Sequence, residues 1–398
     1  MSARCPTVAV LGPFIPAFLA DHVPDLRQPG REPPPGTGGY CLVHLVRARL
    51  AQGLPTDVIT CDPQATQDIQ RWEGDLARLW VVRARARHAL RDGYRQERRL
   101  IHQALAEAGA RVCHANWTYQ YAVAALTQRS VPTLVTVHDN ARRILRFYGW
   151  RYLGHYAMTQ WVLRKAGCLS AVSPHLAGVL ERAVRRPVPW IANTYCDWVW
   201  VKQADATAPR PAVLVGAMGW SRLKNAARLI EAFQLVRREA PGTTLVLMGG
   251  GLHAGGPGHG WASERRLDDG IEFRGPTPYL QTVDAIRAAS AFVHASLEEA
   301  CPVSVGEAML MNVPVVGARQ AAGTRWLLDD GRAGILVDGL DPLDIARGIL
   351  DALRDGTRRL PRAAQARARD LFDATKVVSA YEACYGQAVA TYGPGNAA

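Results

Sequence analysis

What most constrains the fold of this chain is a rhythm: short apolar runs alternate with segments of helical period, stop near residues 193–211, and then start again. In the first half, residues 7–11, 57–60, 110–115, 133–138 and 168–173 read as strands bounded by polar residues or proline. Between the first two, a Pro/Gly-rich loop over 28–39 leads into 40–52, where Leu42, Leu45, Val46 and Leu50 recur at helical spacing. After Pro209-Arg210-Pro211 the pattern resumes, with strands predicted at 212–216, 243–248, 271–274, 291–294, 314–317 and 335–337. Helices are predicted at 226–239, 279–289, 303–311 and 342–353, and a mobile loop at 252–261. Strands alternating with helices imply parallel sheets covered on both faces, hence an α/β chain. At 398 residues there is material for two doubly wound domains. Their expected limits are 1–195 and 196–375, with a C-terminal helix and tail at 376–398 packing back on the first domain. Such domains, facing across a cleft, bind ligands at the carboxyl ends of their strands.

Composition excludes several classes. No apolar run reaches the roughly 18–20 residues a membrane-spanning helix needs. The apolar stretch 8–20 follows only Arg4 and is broken by Pro13 and Pro16, so a strand and loop fit better than a leader peptide. The eight cysteines (Cys5, Cys41, Cys61, Cys113, Cys168, Cys196, Cys301, Cys384) form no C-x-x-C pair, which argues against a zinc site or a disulfide framework. Scattered thiols suit a reducing compartment, so a cytoplasmic location is expected. His253 and His259 alone do not make a metal site.

The charge is uneven. Of 47 Lys+Arg and 35 Asp+Glu, nearly all of the net +12 falls before residue 200. Its densest part is Arg83, Arg85, Arg87, His88, Arg91, Arg95, Arg98 and Arg99. This run reads equally as a solvated helix face or as a patch adhering to an anionic membrane. Nucleic-acid binding is disfavoured, because no aromatics interleave with the basic residues.

The chemistry gathers at a few points. Glu299 and Glu307 flank the start of a predicted helix, with Pro302 suited to its first turn. The free amides there suit a diphosphate, and carboxylates beside them can accept hydrogen bonds from sugar and ribose hydroxyls. Lys224, with Arg222 two residues earlier, sits in a strand-to-helix loop where a cation can reach phosphate oxygens. Gly38-Gly39 lets backbone approach a ligand closely, and His138-Asp139 closes a predicted strand. Taken singly, each has a bland structural reading.

Together these residues resemble the retaining glycosyltransferases of family 4, which have the GT-B fold of two Rossmann-like domains. The resemblance is strongest over 212–350: Leu214-Val215-Gly216, Lys224-Asn225, Leu229 to Phe233, Leu247 to Gly250, Phe273-Arg274-Gly275, the E-x7-E from Glu299 to Glu307, Val313 to Val316 and Asp330 to Val337 stand in family order. In the first half, Gly38-Gly39, Val137-His138-Asp139, and Ser173 followed by Asn193 match. The resemblance implies that Glu307 holds the donor ribose and Glu299 the transferred sugar. It places Lys224 on the diphosphate, Gly39 beside the distal phosphate and His138 near the reacting carbon. It also implies a UDP- or GDP-linked donor, a glycan or lipid-linked acceptor, and no divalent metal or other cofactor. Departures are Gly219 where members carry arginine, Ala300-Cys301-Pro302 where Gly-Phe-Gly is common, Arg325-Trp326 and Ala192-Asn193-Thr194. With Pro302 lacking an amide, the amides of Cys301 and Val303 are the expected phosphate contacts. The alternatives are a sugar-nucleotide epimerase of the same plan and a degenerate sugar-nucleotide-binding protein. Gly12-Pro13-Phe14-Ile15-Pro16 after the first strand argues against a dinucleotide oxidoreductase.

Overall fold

The computed structural model describes residues 7–196, 199, 213–217, 219–354 and 359–392. Cys5, the Pro209-Arg210-Pro211 segment and residues 393–398 lie outside them. The chain divides into two compact units, Met1–Cys196 with Asp373–Ala398, and Asp197–Phe372.

In the first unit the elements up to residue 184 are β1 (Val8–Leu11), α1 (Tyr40–Ala51), β2 (Thr56–Asp62), β3 (Ile69–Glu73), β4 (Ala77–Arg83), α2 (Arg95–Ala108), β5 (Val112–Asn116), α3 (Gln120–Gln128), β6 (Thr133–Val137), α4 (Ala141–Tyr148), α5 (Leu153–Lys165), β7 (Cys168–Ala171) and α6 (Pro174–Val184). The sheet order is β3-β4-β2-β1-β5-β6-β7, parallel except for β3, which pairs antiparallel with β4 at the edge. This edge pair corrects the sequence reading in two ways. The sheet is not wholly parallel, and the basic run is no single helix face. Arg83 ends β4 and pairs with Asp68, and Arg85 pairs with Asp92 and the buried Glu97, while only Arg95, Arg98 and Arg99 lie on α2. Local signals set the helix starts: Ser173 accepts from the Leu176 amide and Pro174 occupies the first turn of α6.

The second unit contains β8 (Val213–Ala217), α7 (Ala226–Glu239), β9 (Thr244–Met248), α8 (Pro257–Ser263), β10 (Ile271–Gly275), α9 (Tyr279–Ala288), β11 (Ala291–His294), α10 (Val303–Leu310), β12 (Val315–Ala318), α11 (Ala322–Leu327), β13 (Ile335–Val337), α12 (Pro342–Arg354) and α13 (Arg359–Leu371). Its sheet is wholly parallel, in the order β10-β9-β8-β11-β12-β13. Leu229, Phe233 and Val236 of α7 and Ile345 and Ile349 of α12 join Leu245, Leu247 and Val293 of the strands in one core. The expected loop at 252–261 is helical from Pro257 on. Gly258 and Gly260 disfavour that helix by propensity, but Trp261 packs on Trp220 with ring centroids 5.5 Å apart, and Leu252 and Ala262 are fully buried.

The last helix, α14 (Ala374–Thr391), belongs to the first unit. Asp373 caps it, and Val377, Val378, Tyr381, Cys384, Tyr385 and Ala388 form a buried stripe against α1 and β5 to β7. A buried polar chain anchors it. Tyr385 Oη lies 2.8 Å from His114 Nδ1, His114 Nε2 lies 2.7 Å from Thr136 Oγ1, and Thr136 Oγ1 lies 2.7 Å from Ser170 Oγ. Burial holds His114 neutral by driving its pKa well below the ordinary value. Removing one end of such a chain strands a desolvated nitrogen, which costs about 1–3 kcal/mol. Y385F is therefore expected to lower unfolding stability by about that amount in urea titrations. A change under about 0.5 kcal/mol, the range of an ordinary surface substitution, would contradict the anchoring role.

Candidate active site

In a doubly wound sheet the ligand crevice opens where strand order reverses. In the second unit that point lies between β8 and β11, which are adjacent in the sheet but far apart in sequence. The loop after β8 carries Lys224 and the loop after β11 carries Glu299, so the topology brings the two together. Lys224 Nζ donates to Glu299 Oε1 at 2.6 Å. The loops are also joined through the Leu297 amide, which donates to the Leu223 carbonyl at 2.9 Å. Asn225 clamps them further, its Nδ2 donating to Ala295 O at 3.1 Å and to Gly339 O at 2.6 Å. Asn225 holds a left-handed conformation (φ 60°), which asparagine tolerates better than most residues. Gly323, at the start of α11, donates its amide to Glu299 O at 2.9 Å, and a Cβ there would lie 2.3 Å from Ala300 O.

Electrostatics set the protonation states. Burial opposes ionisation of Glu299, but the Lys224 ammonium outweighs it and holds the carboxyl below its ordinary range. His294, the last residue of β11, is driven by burial to about 4 and is neutral near pH 7, with Nε2 3.7 Å from Glu299 Oε1. Glu307, in α10, is 2% exposed and accepts from Tyr279 Oη at 2.5 Å. Burial pushes its carboxyl up to about 7. Pro302 is the N-cap of α10 rather than its first helical residue, and Val303 begins the helix. Cys301 is buried and Arg222 exposed. At Gly219 an added Cβ would meet only Gly250 O at 3.5 Å, an ordinary contact.

The first unit repeats the arrangement. Its reversal lies between β1 and β5, and the loop after β1 contains Gly38 and Gly39, both with positive φ. Gly39 caps α1, and a Cβ there would lie 1.8 Å from Pro13 O, so no other residue fits. His138, just beyond β6, stacks on Trp117 at 4.2 Å, and its Nε2 lies 2.9 Å from Asn116 Oδ1. Asn116 Nδ2 donates to the Leu11 and His114 carbonyls, so Oδ1 accepts and Nε2 of His138 is assigned the hydrogen. Nδ1 is then an acceptor, 4.0 Å from Cys41 Sγ. Burial drives this imidazole to about 3, so it does not act as an imidazolium acid near neutrality. Asp139 receives the Tyr119 hydroxyl on both oxygens, and burial raises it to about 6.

The supporting residues His294, Tyr279, Asn116 and Trp117 stand outside the candidates that the sequence suggests. Position at the carboxyl end of a strand, the argument that singled out His138, also applies to His294. Tyr279, 28 residues from Glu307, carried no comparable signal.

Residues 210–355 match the sequence model described as Glycosyl transferases group 1, and residues 36–196 match that of a Glycosyl transferase 4-like domain. The chain belongs to the group 1 glycosyltransferases. This group 1 chain is 32% identical over 159 residues to a D-inositol 3-phosphate glycosyltransferase of Corynebacterium kroppenstedtii, a match covering 38% of the chain and 35% of that protein. It thus spans about a third of that relative's length. In structure it resembles the sucrose-phosphate synthase of Thermosynechococcus elongatus, with TM-score 0.74, 20% identity and coverage of 97% of this chain and 100% of that one. It also resembles HepE of Anabaena, solved in complex with UDP and glucose, with TM-score 0.69, 17% identity and coverage of 96% and 100%. The fold is GT-B.

Glu307 offers a test of these electrostatics. A carboxyl raised from 4.5 to about 7 gives its full stability below 4.5 and loses it as pH rises toward 7. E307Q, which cannot ionise, is expected to become more stable relative to wild type by roughly 2–3 kcal/mol between pH 5 and pH 8. A pH-independent difference in chemical denaturation would contradict the burial of an ionisable group there.

Proposed function

We propose that this chain is a retaining, metal-independent glycosyltransferase. It would move a sugar from a nucleotide-diphosphate sugar to a glycan or lipid-linked acceptor, in polysaccharide or glycoconjugate biosynthesis. The observation that carries the reading is Lys224 held 2.6 Å from Glu299 at the strand-order reversal of the second unit. As the bond to the diphosphate breaks, negative charge grows on the leaving oxygens. Lys224 and Arg222 oppose that charge, as do the amides of Cys301 and Val303, in a site whose dipoles are already oriented. Glu299 accepts from hydroxyls of the transferred sugar and Glu307 from those of the ribose. His138 accepts a sugar hydroxyl through Nδ1, and backbone at Gly38 and Gly39 meets the distal phosphate. The UDP in the HepE structure favours a UDP-linked donor, with GDP the second choice. Among the described residues no helix is long and apolar enough to cross a membrane. A lipid-linked acceptor would be met at the inner membrane face, with the basic first half against anionic lipid.

The test incubates the protein with UDP- and GDP-sugars and a panel of glycan and lipid-linked acceptors, and follows the products by NMR. One donor is expected to release its nucleoside diphosphate with retention at the anomeric carbon, at a rate unchanged by EDTA. K224A is expected to slow turnover about 100-fold or more, the usual cost of removing one charge-stabilising group. An isomerised nucleotide sugar would indicate an epimerase. Inversion, or loss of activity with EDTA, would contradict the proposed chemistry.

A further inference from the structure

We infer that the cleft between α4, α5 and α6 of the first unit binds a phosphate group carried by the acceptor; the assignment to an acceptor rests on the glycosyl-transfer reading. The cleft measures about 690 Å³. Arg142 and Arg146 line it from α4 and Arg182 from α6. Residues four apart on a helix share a face, where two like charges repel. None of these three guanidinium groups has a carboxylate within ion-pair distance among the described residues. Elsewhere in the unit Arg27, Arg47, Arg78, Arg83 and Arg85 each have one. Arg95 and Arg99 of α2 also have none among the described residues, so it is the shared cleft that sets the three apart. The cleft does contain a carboxylate, Asp139, but it is occupied by the Tyr119 hydroxyl. Three unbalanced guanidinium groups converging from two helices suit a doubly charged phosphate, whose oxygens match their forked donors.

The location connects this cleft with the reaction. Val137 and Asp139, the two neighbours of His138, both line it. A molecule anchored by its phosphate on the arginines would therefore extend toward His138. Leu163, Leu176 and Val179 supply an apolar wall for its organic part, and Tyr156 and Gln160 supply hydrogen-bonding groups. The donor's own diphosphate is assigned to Lys224 and Arg222, so these arginines are not needed for it. The phosphate can belong to a soluble phosphorylated sugar or polyol, or to a lipid headgroup. Trp150 and Leu153, 81% and 56% exposed just beyond α4, place apolar surface where a bilayer would be met.

Calorimetric titration of the full chain, saturated with UDP, separates these sources. One arm uses glycerol 3-phosphate, and the other compares phosphatidic acid vesicles with phosphatidylcholine vesicles. Binding in either arm is expected to weaken tenfold or more in R142Q/R146Q, while UDP affinity measured separately stays within twofold. R95Q/R99Q, which removes two exposed charges of α2, is expected to leave phosphate binding unchanged. Binding of glycerol 3-phosphate would assign the site to a soluble acceptor. Binding of phosphatidic acid vesicles alone, weakened also by W150A/L153A, would assign it to a lipid. A protein that binds neither probe overturns the inference, as does equal loss in both arginine double variants. Failure to bind UDP alone would count against the donor site and leave the phosphate site standing.

Discussion

Lys224 and Glu299 are 75 residues apart in sequence and meet because β8 and β11 are neighbours in a parallel sheet. Much of the candidate donor site depends on that adjacency. Asn225 ties the first loop to the ends of β11 and β13, and the Leu297 amide ties the second loop to the first. The ion pair is thus built on backbone held from several sides, which limits the side-chain freedom that usually weakens partly exposed pairs. Gly323 extends the support by admitting the Glu299 and Ala300 carbonyls against α11.

Burial does the rest, at some cost in stability. His138 and His294 are held neutral at strand ends, and Glu307 is held where ionisation is disfavoured. Proteins commonly concentrate such groups at functional sites, since a core free of them would be more stable. The neutral histidines imply roles as hydrogen-bonding groups rather than as acids. In the second unit the charged pair beside His294 is Lys224 with Glu299.

The alternation of apolar runs and helical segments showed the α/β class because strands buried on both faces are rich in apolar residues, as in the unbroken run Val8–Leu11. The edge pair escaped notice for the same physical reason. In Ile69–Glu73 only Trp72 is buried, and β4 runs into the arginines that follow it. The helix at Pro257–Ser263 was hidden by its glycines and is held by packing that local sequence does not encode. Lys224, Glu299 and His138 were visible because each lies beside a strand end. Asn116 and Trp117 hold the same kind of position at the end of β5 and carried no charge to single them out, while the importance of Tyr279 comes from its packing beside Glu307. The arginines of α4 and α6 were submerged in the overall basic charge until the structure placed Arg142, Arg146 and Arg182 on one cleft.

Hydrogen–deuterium exchange with and without the donor that binds best reads out whether the loops of Lys224 and Glu299 hold it. If Lys224 and Glu299 hold the nucleotide sugar, amides in residues 219–225 and 296–307 should exchange more slowly in its presence, and K224A should abolish that protection. A donor that binds while leaving both segments unprotected would contradict the assignment of this site.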